Sequence, residues 1–124
     1  MAYIANSPEQ YSGTVIGDGQ CVAFVRAASG APVTSTWTQG AQVRGGNPAI
    51  GTAIATFDPD GTYGNHTDGR SHAAIYIGQD ATGLHVWDQW TSPTGVQPVH
   101  QRTVRFQGGT AKPVNDGDAF YVIE

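Results

Sequence analysis

Gly17-Asp18-Gly19-Gln20-Cys21-Val22-Ala23-Phe24-Val25-Arg26-Ala27-Ala28-Ser29-Gly30 holds the only cysteine of the chain, where two glycines give way to an apolar run. Phe24, Val25 and Ala28 follow Cys21 at the spacing of one helix face, which predicts a helix of about two to three turns. Asp18 suits the N-cap and Gly30 the left-handed residue that ends a helix. Cys21 then falls in the first turn, where unpaired backbone N–H groups and the positive end of the dipole favour a thiolate. The same N–H groups can hold an oxyanion. A free cysteine is also among the most commonly buried side chains, so the rest of the chain must decide its role.

Composition narrows the classes. A length of 124 residues fits one domain, 1–124, with a real core. One cysteine excludes both an internal disulfide and a cysteine-built zinc site. Seventeen glycines, seven prolines and 13% charged residues predict short elements joined by many turns. A net charge of −4 with six Lys and Arg gives no nucleic-acid footprint. No apolar run approaches about 18 residues, so no membrane span is expected. Met1-Ala2-Tyr3-Ile4-Ala5-Asn6 lacks the basic and long apolar regions of a secretory signal peptide.

The chain reads as helices first and strands afterwards. Ser7-Pro8-Glu9-Gln10 matches a capping box with Pro at N1. Thr34-Ser35-Thr36 can cap a second helix carrying Trp37, Gly40, Ala41 and Arg44 on one face. Strands are expected at residues 50–57, 72–78, 84–90, 98–106 and 119–123, separated by turn-rich segments. That order predicts an α+β fold: N-terminal helices packed on a small antiparallel sheet of five to six strands.

His72 opens the second of these strands beside the small Ala73 and Ala74, which leave room for another element. A helix N-terminus laid there would pair Cys21 with His72 as nucleophile and base, and a third group would orient the ring. The strand at 84–90 folds back antiparallel and ends beside His72, offering Asp88 or Gln89. A carboxylate at Asp88 orients the imidazole and stabilises its cation; Gln89 points to the opposite face, and register is open at this stage. Arg70 offers a planar fork to a substrate carboxylate. Trp37, Trp87 and Trp90 could stack on sugar rings or pack in the core. His66 reads as a loop residue, and His85 and His100 as structural strand residues. Asp58-Pro59-Asp60-Gly61 and Asp116-Gly117-Asp118 read as turns, because neither extends to a full calcium loop.

Asp18-Gly19-Gln20-Cys21 opening a helix, Ala53-Ile54-Ala55-Thr56-Phe57, and His72-Ala73-Ala74-Ile75-Tyr76-Ile77-Gly78 with its returning strand resemble the CHAP and NlpC/P60 branch of papain-like peptidases. The resemblance spans residues 14–124 and implies an amidase or endopeptidase cutting amides of peptidoglycan stem peptides or crosslinks. Small members without a signal peptide include type VI secretion amidase effectors and phage lysins. By position it implies Cys21 as nucleophile and His72 as base, with Gln20 supporting the oxyanion; Gln89, Arg70 and Trp90 are expected near the substrate from the reading of the residues themselves. Asp88-Gln89-Trp90 departs from the Glu with nearby Asn, or second His, usual in these enzymes. No metal or organic cofactor is expected. The implied protein is a monomer, made in the bacterial or phage-infected cytoplasm and acting in the periplasm or wall after specialised delivery. Its implied partners are peptidoglycan and a cognate immunity protein. The alternatives are a non-catalytic wall- or sugar-binding module and a papain-like thiol enzyme acting on another amide.

Overall fold

The computed structural model describes residues 1–124. Helix α1 (Cys21–Ser29) packs against a six-stranded antiparallel sheet of β1 (Gln39–Gln42), β2 (Ala53–Thr56), β3 (Ala73–Gln79), β4 (Gly83–Ser92), β5 (Gly95–Arg105) and β6 (Phe120–Ile123). The sheet order is β1-β6-β2-β3-β4-β5, and every neighbouring pair is antiparallel. The α+β class and the antiparallel sheet stand as expected; the helical part is smaller. No helix is long and apolar enough to cross a membrane.

Two corrections apply at the N-terminal side. The expected second helix does not form: Thr34–Thr36 is a 3-10 turn and Gln39–Gln42 becomes β1, paired with β6. Local chemistry favours this outcome. The Trp37 indole donates to the Pro32 carbonyl at 2.8 Å, and Thr38 gives both backbone and side-chain bonds to Glu124. Gly40 is where β1 meets β6, since a Cβ there would stand 2.8 Å from the Val122 carbonyl. Ser7 and Asp18 also fail as caps. Pro8–Tyr11 is a 3-10 turn without a side-chain cap, and Gln20 occupies the N-cap of α1. Asp18 instead accepts from the Gln20 N–H at 3.0 Å, which shapes the turn one residue earlier. Gly30 ends α1 in the left-handed conformation, φ 76°.

Strand alternation divides the core. Ala53, Ala55, Ala73 and Ile75 face α1 and bury Phe24 and Val25 completely; three alanines let the helix sit close to the sheet. Ile54, Ala74, Tyr76, Val86, Leu84, Val104 and Phe120 form a second cluster on the other face with Val43. No helix covers that side. The sheet curls over it, until Arg44, just beyond β1, lies 4.2 Å from the ring centre of Phe106, just beyond β5.

Candidate active site

Strand register assigns the site residues to faces. Tyr76 pairs with Val86, Val86 with Arg102, and Asp88 with His100. Directly opposed residues share a face and alternate residues return to it. His72, Asp88, His100 and Arg102 therefore share one face at the same end of the sheet. Gln89 takes the other face, beneath the segment leading into α1, where its Oε1 accepts from Ile16 N at 2.9 Å. Its Nε2 donates to the carbonyls of Ile16 at 2.9 Å and Gln20 at 2.8 Å. Gln89 thus pins the turn that presents Cys21 and makes no contact with the imidazole.

Cys21 and His72 meet at the N-terminus of α1, both buried, at 9% and 3% exposure. Asp88 Oδ2 lies 2.7 Å from His72 Nε2, which leaves Nδ1 as the ring nitrogen for the thiol. Burial pushes the Cys21 thiol up, but hydrogen bonding and charge from His72, with help from Ala73 and Tyr63, outweigh it and hold the thiol below its ordinary value. Burial disfavours the His72 cation, yet Asp88 and Cys21 more than offset this and raise its pKa to about 9. Burial opposes ionisation of Asp88, while His72 and Arg102 hold its carboxyl below the usual range. The combination favours a thiolate–imidazolium pair at neutral pH.

Two contributors were invisible in the sequence. Tyr63, in the loop between β2 and β3, places its hydroxyl 3.8 Å from Cys21 Sγ. Its ring is wedged against Trp37, centroids 4.8 Å apart, and edge-on to Phe57. Burial and the neighbouring sulfur push its pKa far above the tyrosine range, so the hydroxyl remains a donor. The only signal was a bulky aromatic in an otherwise polar, glycine-bearing loop. Arg102 on β5 donates from Nε to Asp88 Oδ2 at 2.7 Å; nothing local to Arg102 announces that pairing. His100, read as structural, stands with Nε2 3.9 Å from Asp88 Oδ1.

A cleft of about 940 Å³ opens over Cys21 and His72, lined also by Gln20, Arg26, Trp90 and Arg102. Trp90 stacks edge-on to His100 at 5.0 Å and lies under the Arg102 guanidinium at 5.1 Å. Trp37 and Trp87 are buried in the core instead. Arg70 is removed from the cleft. Its Nε holds Asp68 at 2.9 Å, and it borders a separate hollow with Gln39, Phe57 and Asp58. His66 lines the cleft while bonded to Asp58 at 2.8 Å.

Comparison with known proteins places the chain in a family. A solved structure of a type 6 secretion amidase effector 2 is 32% identical, with a TM-score of 0.86 over 98% of this chain and 94% of that one. The type VI secretion amidase effector 2 protein of Salmonella typhi is 37% identical over 114 residues, covering 85% of this chain and 84% of the relative. Domesticated amidase effector 2 of Ixodes scapularis is 37% identical over 111 residues, 85% of this chain and 70% of the relative. The family model described as domesticated amidase effector 2 matches residues 1–123. The chain belongs to the domesticated amidase effector 2 family, and is an enzyme of the amidase class.

Proposed function

We propose that residues 1–124 form one papain-like amidase domain that hydrolyses an amide of peptidoglycan stem peptides or crosslinks, with Cys21 as nucleophile, His72 as base and acid, and Asp88 orienting His72. The observation that carries this reading is the buried grouping of Cys21, His72 and Asp88 beneath an open cleft, with His72 bonded to Asp88 and close enough to Cys21 to lower its pKa. The Cys21 thiolate attacks the carbonyl carbon, and the oxyanion is met by backbone N–H groups at the start of α1, with Gln20 at the cleft wall. As the C–N bond breaks, the imidazolium proton passes to the leaving nitrogen and a thioester remains. Water, giving its proton to His72, then attacks the thioester; the C–S bond breaks, the acid product leaves, and the thiolate–imidazolium pair returns.

Membership in an amidase effector family supports a delivered antibacterial enzyme. In this reading the protein acts as a monomer in the periplasm or wall of a recipient cell, and the producing cell carries an immunity protein that plugs the cleft over Cys21 and His72. A wall-binding module built on tryptophans has little to rest on, since only Trp90 reaches the cleft. The test is digestion of purified sacculi by wild type and Cys21→Ala, with muropeptides separated by mass. New fragments with wild type alone establish the reading and name the bond. Intact sacculi with both folded proteins would overturn it.

A further inference from the structure

Asp88 has no exposed surface, and both its short contacts fall on one oxygen. Oδ2 accepts from His72 Nε2 and from Arg102 Nε, each at 2.7 Å. Oδ1 is buried without a hydrogen-bond partner. His100 faces it, but its Nδ1 lies 2.9 Å from the Pro98 carbonyl and must carry the proton there. Its Nε2 stands 3.9 Å from Oδ1, beyond hydrogen-bond reach. Arg102 is itself held in place: Nη2 donates to the Val114 carbonyl at 3.4 Å and the guanidinium lies over Trp90.

The catalytic cycle makes an unequal demand on these contacts. While His72 is an imidazolium, it balances the Asp88 carboxylate. Once His72 has given its proton to the leaving nitrogen, Asp88 would be a buried anion facing a neutral ring, and it would draw the proton back. Arg102 is always charged and supplies the missing balance. We propose that Arg102 is a positioning residue, which keeps Asp88 ionised and aimed at His72 while His72 is neutral and so eases proton release to the leaving group. The assignment rests on the Cys21–His72–Asp88 reading.

Around His72 the groups able to shift its titration are Cys21 from α1, Asp88 from β4, and, through them, Tyr63 of the β2–β3 loop and Arg102 and His100 from β5. Phe120 from β6 and Trp90 contribute only rings. Removing Arg102 takes away a cation and leaves Asp88 more fully available, so the His72 midpoint must rise.

The experiment titrates the His72 ring by NMR in a Cys21→Ala background, with and without Arg102→Met, and measures kcat and KM on muropeptides with Cys21 intact. Circular dichroism melting verifies folding. Arg102→Met is expected to raise the His72 midpoint by about one pH unit. It should lower kcat about tenfold at pH 7 with KM within about twofold, and Arg102→Lys should recover part of both effects. A folded Arg102→Met protein with an unmoved His72 midpoint would overturn the proposal. If that variant does not fold, Arg102→Gln, neutral but able to bond Asp88, carries the same expectation and the same refutation. The ring titration needs no turnover. Failure of wild type on sacculi would therefore sink the amidase reading separately from the Arg102–Asp88 coupling.

Discussion

Asp88 Oδ2 and His72 Nε2 lie 2.7 Å apart, Asp88 within β4 and His72 immediately before β3, and neither is more than 3% exposed. The pair forms because β4 carries Asp88 to the face that His72 enters at the start of β3. Three cooperating features meet there: a fixed ring orientation, a stabilised imidazolium and a free ring nitrogen for Cys21.

Asp88→Asn removes the charge and keeps the shape. Turnover should fall about 10²- to 10⁴-fold, because the imidazolium loses its counter-ion and its preferred tautomer. Steady-state rates on sacculi check this. Stability should respond as well. The folded-state pKa of Asp88 is depressed, so its contribution is complete above the unfolded carboxylate value of about 4 and is lost as pH falls through the lower folded value. Melting temperature against pH should show a shallower acid decline in Asp88→Asn than in wild type.

Activity should be bounded by the thiolate–imidazolium pair. It should rise from acid pH as the pair forms, with Cys21 ionising below the ordinary thiol value. It should fall as His72 loses its proton near pH 9. These are properties of the coupled pair. Alkylation of Cys21 by iodoacetamide, measured from pH 4 to pH 10 (roughly the span in which such pairs form and dissolve), reports the acid limb directly. A rate that rose only around the pH of a free thiol would contradict an ionised pair at neutrality.

Tyr63→Phe withdraws one donor from Cys21 Sγ while keeping the ring that packs on Trp37 and Phe57. Stability should change by less than about 1 kcal/mol, since a single weak hydrogen bond is lost. The acid limb of Cys21 alkylation should move upward, because the thiolate is less stabilised. The two effects separate a role at the sulfur from a role in packing.

Gln89→Leu keeps volume at a fully buried position and removes three hydrogen bonds to Ile16 and Gln20. Unpaired backbone groups on the segment before α1 should cost about 2–4 kcal/mol, read from chemical denaturation. The turn that presents Cys21 loosens at the same time, so kcat should drop more than KM changes.

Much of this site was legible from local signals. Glycine punctuation and the spacing of Phe24, Val25 and Ala28 marked α1 and put Cys21 at its start. Small residues beside His72 marked a close approach, and the structure uses Ala73 for it. The segment from Trp37 to Arg44 misled because four residues at helical spacing occur by chance, while its pairing with β6 lies at the far end of the chain. The choice between Asp88 and Gln89 stayed open because the pairing of β3 with β4 shifts between Tyr76 and Gly78, so counting back from the hairpin turn does not fix the face. Tyr63 and Arg102 acquire meaning only through residues distant in sequence, and no periodicity encodes that.

Adjacent positions on β4 carry opposite duties: Asp88 serves His72 on one face and Gln89 serves the Cys21 turn on the other. A slip of β4 by a single residue would turn each to the wrong face. Slipped one way, the amide of Gln89 would take the place beside the imidazole and Trp90 would displace it from the Cys21 turn; slipped the other way, the Asp88 carboxylate would confront the carbonyl oxygens of Ile16 and Gln20, which repel it. A misregistered chain would thus lose both the His72–Asp88 bond and the anchored turn. The active fraction of a refolded preparation is therefore a direct count of molecules whose strands have aligned correctly.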